Sequence, residues 1–280
     1  MDMADELNWD SLSRKPEEAR RAEPEPPSGL RKMLAPLLGG LAATFKFAAP
    51  VLKFLPLVLK TGGSMLLSIG AYAWLYGWKF GLGFVLLLLV HELGHSLAAK
   101  WFGLKVSAPV FIPFLGAQIL LKEMPANAWV ESIVGFGGPL LGTIGGLVVF
   151  VMGMLTGSPL YFALASSAFF LNLFNLVPIV PLDGGRVVTA ISPWLWIVGI
   201  VILVPYLLLN LSGAGIYILL LVATSLPRVY RLFKNRNNPA SQRYFECTPW
   251  QRMLITTAYF GLVLFLATAM TETHHILAAL

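Results

Sequence analysis

Apolar runs joined by short polar connections are the feature that most constrains how this chain can fold. Most of them approach the ~20 residues that a helix needs to cross the hydrocarbon core of a bilayer. They lie at about 61–78, 82–100, 133–155, 159–180, 193–210, 213–226 and 252–270. The chain is 57% hydrophobic and only 12% charged, against about 25% charged in soluble proteins. The sequence therefore predicts an all-α multi-pass membrane protein with six to seven transmembrane helices, since the run at 213–226 could also form one bent element with the preceding run.

The charges indicate the orientation of these helices. The net charge is +6, yet residues 1–30 contain eight acidic and four basic residues, so the remaining 250 residues carry +10. If both 193–210 and 213–226 cross the bilayer, every Lys and Arg except Lys79 falls on one side, as the positive-inside rule predicts for a cytosolic face. The basic residues lie in short connections between apolar runs. Membrane topology and contacts with anionic lipid explain such a distribution better than binding to nucleic acid does. We therefore expect a multi-pass protein of the cell (inner or plasma) membrane whose N-terminus and polar site face the cytosol.

The N-terminal 60 residues differ from the rest. Residues 1–33 are charged and rich in proline, which predicts a disordered cytosolic tail and is the opposite of a secretory signal. Residues 34–60 are apolar but carry Lys46, Lys53 and Lys60 at seven-residue spacing, on nearly one helix face. This pattern favours an amphipathic segment in the plane of the lipid headgroups, with a kinked spanning helix as the alternative.

The connection at 103–125 does not have the composition of a simple loop. Residues 106–119 combine β-branched and aromatic residues with proline and glycine. This pattern predicts a short β-hairpin that dips into the membrane edge, where its backbone must find partners within the protein.

A cluster of ionisable residues interrupts the second apolar run. His91, Glu92 and His95 form a His-Glu-x-x-His pattern directly after Phe84–Val90. Residues four apart share a helix face, so both imidazoles can reach one metal ion while Glu92 projects beside them towards a water molecule. Ionisable groups are costly within a membrane and point to function. The alternative is a buried hydrogen-bond network within a helix bundle.

Asp183 is the candidate for a third metal ligand. Two prolines precede it and two glycines follow it, a pattern that predicts an unwound helix before the carboxylate and a sharp turn after it. Under the predicted topology, Asp183 and the two histidines lie at similar depth near the cytosolic face. The alternative is an ion pair between Asp183 and Arg186. Cys247 is the only cysteine, which excludes a cysteine-based zinc cluster and an internal disulfide.

Three motifs together resemble the site-2 protease family, the intramembrane zinc metalloproteases of peptidase family M50. They are His91-Glu92-Leu93-Gly94-His95, Gly137-Gly138-Pro139 and the stretch from Asn175 to Arg186, in family order within roughly 80–190. The resemblance implies a metalloprotease core at 61–190, whereas the apolar runs at 191–280, which lie outside the match, predict additional C-terminal transmembrane helices. It also implies one Zn²⁺ per chain, regulated intramembrane proteolysis of membrane proteins, and a hairpin edge that faces an extended substrate. The implied roles are zinc ligands for His91, His95 and Asp183, general base for Glu92, and substrate contacts for Asn175 and Pro178.

Two other classes compete with the protease. A metal or solute permease could use the same His and Asp residues as a transport site but would not need Glu92. A catalytically silent scaffold would not need the intact His, Glu, His and Asp set. Three weaker candidates remain: Asn172 could line the site or join two helices, and His274 with His275 could be a metal pair or interfacial polar residues.

Overall fold

The computed structural model describes residues 59–209, 213–235 and 237–280. The predicted tail at 1–33, and all but the last two residues of the predicted interfacial segment at 34–60, lie outside these ranges. The described chain is mostly helical, which confirms that part of the prediction. A π-helical turn at Leu59–Gly63 is followed by α1 (Ser64–Tyr76), α2 (Trp78–Trp101), β1 (Val110–Ile112), β2 (Gly116–Gln118), α3 (Ala128–Thr156), α4 (Pro159–Asn175), α5 (Asp183–Ile191), α6 (Leu195–Leu209), α7 (Gly213–Lys234), α8 (Pro239–Tyr244) and α9 (Pro249–Ala279).

Three of the described helices are long and apolar enough to cross a membrane. They are α2, α3 and α9, with 24, 29 and 31 residues. Helices α1, α4 and α6 are also apolar but have only 13, 17 and 15 residues. The count of six to seven spans therefore stays a prediction, because several predicted spans end earlier than their apolar runs suggested.

Helices α2 and α3 approach each other most closely at two glycines. A Cβ atom at Gly94 would lie 2.1 Å from the carbonyl oxygen of Gly137, and one at Gly137 would lie 2.6 Å from the carbonyl oxygen of Gly94. Small residues permit such backbone contact between helices in a membrane. The crossing brings the histidine face of α2 against α3, where a Cβ at Gly138 would lie 2.2 Å from Nε2 of His95.

The fourth predicted span is divided in two. Helix α4 ends at Asn175, residues 176–182 are irregular, and α5 begins at Asp183. The sharp turn predicted at Gly184 and Gly185 was wrong, because both glycines lie within the first turn of α5. Their small size serves packing instead: a Cβ at Gly184 would lie 2.1 Å from the carbonyl oxygen of Leu176. The irregular segment can therefore fold back against α5 and set the position of Asp183.

Two buried side chains of other helices hold this segment and the first turn of α5 in place. The indole Nε1 of Trp196 on α6 donates to the carbonyl oxygen of Gly185 over 2.7 Å, and the Tyr259 hydroxyl on α9 donates to that of Leu176 over 2.5 Å. Around them, α3, α4, α5 and α9 share one apolar core. The start of α5 is thus held from several sides.

The predicted β-hairpin within 106–119 is present. Strands β1 and β2 are antiparallel, with Val110 opposite Gln118 and Phe111 opposite Ala117. The Phe111 N–H donates outward to Oγ of Ser64 on α1 over 3.1 Å. In an antiparallel pair of strands, the N–H and C=O groups of two residues opposite each other either both point towards the neighbouring strand or both point away from it. The backbone groups of Ala117 therefore point away from β1, towards α2.

Candidate active site

His91, His95 and Asp183 bring three potential ligand atoms together. The Nε2 atoms of the two histidines are 3.2 Å apart, and Oδ2 of Asp183 lies 3.1 Å from each. The histidines come from one face of α2, and the aspartate comes from the N-terminus of α5. Both histidines are buried, with 2% and 4% of their surface exposed. Residues 92 positions apart in sequence thus meet at one point.

This donor set fits a tetrahedral metal ion. Ligand atoms ~2.0–2.1 Å from zinc lie about 3.3 Å apart at the tetrahedral angle, close to the observed 3.1–3.2 Å. The Nδ1 atom of His95 donates to the carbonyl oxygen of Val134 over 2.7 Å, so its neutral ring presents a lone pair at Nε2. Electron-rich atoms that converge without a hydrogen between them repel one another, and a cation relieves that repulsion.

Glu92 lies beside this cluster in a different environment. One of its carboxylate oxygens lies within 4.8 Å of a ring nitrogen of both His91 and His95. Its Oε2 accepts a hydrogen bond of 2.9 Å from the backbone N–H of Ile119, immediately after β2. Asp183, in contrast, contacts both histidines directly. The carboxylate of Glu92 is therefore held towards the hairpin while it remains close to the two imidazoles.

The two predicted substrate contacts are placed differently. Asn175 is the last residue of α4 and lines two cavities that meet at the cluster. Pro178 lies in the irregular segment, where its carbonyl oxygen would be 2.4 Å from a Cβ at Gly199 on α6. It packs against α6 and is not among the described residues that line these cavities.

The first cavity, which we call the apolar cavity, has a volume of about 1010 Å³. Aromatic residues from α1 and α2 form one wall, and residues of α4 and α9 form another, including Ser166, Ser167 and His274. His91, Glu92 and Asn175 also line it. The cavity therefore reaches the ionisable cluster, and its volume can hold several residues of a peptide.

The second cavity, the polar cavity, has a volume of about 680 Å³ and contains His91, Glu92, His95 and Asp183 in its lining. Charged residues from three helices extend that lining, namely Glu131 on α3, Arg186 on α5 and Arg228 on α7. Both cavities share the turn and start of β2, including Ala117.

Glu131, Arg228 and Tyr244 form a polar network beside the polar cavity. Oε2 of Glu131 accepts a hydrogen bond of 2.6 Å from the hydroxyl of Tyr244, and its Oε1 lies 3.8 Å from Nη1 of Arg228. Burial, reinforced by the charge of Glu131, raises the pKa of Tyr244. The phenol therefore stays protonated and donates to the carboxylate.

Three residues considered from the sequence lie away from the cluster. His274 lines the apolar cavity, and His275 is exposed on α9. Cys247 is partly buried, and this burial raises the pKa of its thiol. Asn172 reaches the cluster, since its Oδ1 is 2.7 Å from Nδ1 of His91. The contacts made by the backbone of Ile119 and Val134 were not predicted, and no side chain signals them.

The region that carries these residues matches a family model. The model for peptidase family M50 matches residues 79–159, which include His91, Glu92, His95 and the Gly137-Gly138-Pro139 motif. Over this stretch the chain is similar to peptidase family M50. The resemblance to the site-2 protease family that the motifs indicated is thereby confirmed.

Individual M50 relatives match over parts of their length. The zinc metalloprotease MJ0392 of Methanocaldococcus jannaschii is 34% identical over 109 residues, which are 37% of this chain and 31% of the relative. Rip3 of Mycobacterium tuberculosis is 33% identical over 141 residues, or 46% of this chain and 35% of the relative. The chain thus spans about a third of the length of these curated relatives. The solved site-2 protease from M. jannaschii is 25% identical, with a TM-score of 0.41 over 59% of this chain and 85% of that one.

Proposed function

We propose that this chain is an intramembrane zinc metalloendopeptidase that hydrolyses peptide bonds in or near transmembrane segments of membrane proteins. The observation that carries the proposal is the triangle of His91, His95 and Asp183 with Glu92 beside it, at the meeting point of an apolar and a polar cavity. The family matches lend no support to the permease alternative. A catalytically silent scaffold would not need these four residues to converge.

His91, His95 and Asp183 are the proposed ligands of one Zn²⁺. Their three facing atoms leave a fourth tetrahedral position open, as catalytic zinc sites require. A zinc ion held there supplies a Lewis acid that polarises a peptide carbonyl and allows water to lose a proton near neutral pH. In this proposal the carboxylate of Asp183 also balances part of the ion's charge within the membrane.

Glu92 is the proposed general base. Its carboxylate accepts the proton that the attacking water loses and donates it to the amide nitrogen as the C–N bond breaks. The N–H of Ile119 restrains one oxygen, so the carboxylate keeps its direction towards the cluster. The polar cavity, which Glu92 lines, is the proposed route by which water reaches this residue.

An extended substrate segment is proposed to pair with the open edge of β2. The backbone groups of Ala117 point away from β1, and Ala117 lines both cavities. A peptide that adds to a sheet edge exposes its carbonyl groups in a regular row, unlike a helix, in which they are hydrogen-bonded. The side chain of Asn175 stands at the same place and is proposed to bind the unwound backbone. For Pro178, substrate contact stays a prediction.

The topology follows the charges. We propose that the chain crosses the inner or plasma membrane six to seven times, with the hairpin dipping into the membrane edge and the active site near the cytosolic face. The charged residues Glu131, Arg186 and Arg228 line the polar cavity, which suits the cytosolic side. Helices α2, α3 and α9 are the proposed complete spans.

Cleavage by the purified full chain in liposomes tests this function. Single-span model proteins labelled on both sides of the span serve as substrates. We expect cleavage products from within or beside the span, loss of activity after chelation, and recovery on addition of zinc. Asp183→Asn should bind zinc more weakly than wild type. Zinc-dependent ion flux without cleavage of any substrate would contradict the proposal and favour a permease.

A further inference from the structure

Asn172 occupies an unusual position for an amide side chain. It lies within the apolar helix α4 and is only 1% exposed. Its Nδ2 donates to the carbonyl oxygen of Ala168 over 2.8 Å, and its Oδ1 lies 2.7 Å from Nδ1 of His91. The first hydrogen bond decides which end of the amide faces the imidazole, because only the nitrogen can donate to a carbonyl oxygen.

We infer that Asn172 is a positioning residue that fixes the tautomer and direction of His91 and thereby strengthens zinc binding. This inference rests on the proposed function. A neutral imidazole carries one N–H and one lone pair. Since an amide oxygen only accepts, Nδ1 of His91 must carry the hydrogen, and Nε2 presents its lone pair to His95 and Asp183. Partners of this kind typically contribute 10- to 100-fold to metal affinity.

The packing of α3 supports the same conclusion independently. A Cβ atom at Gly142 would lie 2.3 Å from Oδ1 of Asn172 and 2.9 Å from its Nδ2. Helix α3 therefore touches the amide from the side opposite its own helix and leaves it little room to turn away. Gly145, one turn further along α3, offers a contrast, because its nearest neighbour would be a methyl group of Val90 at 3.1 Å.

The two histidines are then held in matching ways. The carbonyl oxygen of Val134 orients His95, and the amide oxygen of Asn172 orients His91, each at 2.7 Å from Nδ1. The alternative is that Asn172 only joins helices, as buried amides do in membrane bundles. That alternative predicts an effect on stability without an effect on the metal.

Zinc affinity of the full-length protein in detergent separates the two roles. It is measured by competition with a chromogenic chelator, alongside thermal unfolding of the metal-free protein. We expect Asn172→Leu to weaken zinc binding about 10- to 100-fold. Asn172→Asp keeps an oxygen that accepts from Nδ1 of His91 and should bind within a few-fold of wild type, while the loss of the bond to Ala168 should appear only in thermal unfolding. Gly142→Ala, which displaces the amide without changing it, should resemble Asn172→Leu, whereas the matched variant Gly145→Ala should bind like wild type.

Three outcomes would decide against the inference. Wild-type affinity in Asn172→Leu would overturn it while leaving the proposed function intact. Equal losses in Asn172→Leu and Asn172→Asp would show that packing, and not the accepted hydrogen bond, is what matters, and would also overturn it. Failure of the wild type itself to bind zinc would overturn the proposed function together with the inference.

Discussion

One added methyl group at Gly138 should abolish tight zinc binding. A Cβ at this position would lie 2.2 Å from Nε2, 2.4 Å from Cε1 and 2.7 Å from Cδ2 of His95. The clash therefore involves the whole edge of the ring that faces the cluster. Because ordinary contacts of a Cβ begin at 3.4 Å, the ring must retreat by about 1 Å in the Gly138→Ala protein.

A displacement of that size exceeds what a zinc site tolerates. Ligand distances in functional sites stay within about 0.2 Å of their usual values. The movement would also strain the hydrogen bond of 2.7 Å between Nδ1 of His95 and the carbonyl oxygen of Val134. Loss of an orienting partner alone costs 10- to 100-fold in affinity, so displacement of a ligand should cost at least about 100-fold.

Chelator competition on purified protein measures the effect directly. Gly145→Ala adds the same methyl group to the same helix, where its nearest neighbours are the side chains of Val90 and Leu87, and should keep its zinc. Thermal unfolding of the metal-free proteins checks that both variants are folded. A folded Gly138→Ala protein with wild-type zinc affinity would refute the assignment of His95 as a ligand.

Two further predictions concern groups that hold the site in place. Ile119→Pro removes the N–H that donates to Glu92 and should lower turnover at least 10-fold while zinc stays bound. Ile119→Val keeps this N–H and serves as the control for the change of side chain. An equal loss of turnover in Ile119→Val would contradict the reasoning. Trp196→Phe removes the indole N–H that donates to the carbonyl oxygen of Gly185 and should lower the free energy of unfolding by about 1 kcal/mol. The half-exposed ring of Trp194 provides the comparison, and a loss as large in Trp194→Phe would argue against a specific role for the hydrogen bond.

The residues that converge at the site could be predicted because ionisable side chains are costly in apolar helices. His91 and His95 share one helix face with Glu92 beside them, and a tetrahedral site needs a third protein ligand, which Asp183 can supply. The sequence also indicated the hairpin, through β-branched residues between proline and glycine. These inferences needed only local patterns.

What could not be predicted depends on contacts between distant backbones. The N–H of Ile119 and the carbonyl oxygen of Val134 belong to groups that every residue in those positions would have. The pair Gly184 and Gly185 suggested a turn, because a sequence does not show whether a glycine is needed for its conformation or for its size; here the close approach of Leu176 decides. The span count stayed open for a similar reason, since apolar residues continue beyond the ends of α1 and α4.

The measurement that tests the central claim most directly compares wild type with Glu92→Gln. Both proteins are assayed for bound zinc and for cleavage of a single-span substrate in liposomes. Zinc near one per chain in both, with cleavage reduced at least about 100-fold in Glu92→Gln, is the predicted result, because general acid–base catalysis typically contributes 10²- to 10⁴-fold. Cleavage at the wild-type rate by a zinc-loaded Glu92→Gln protein would contradict it.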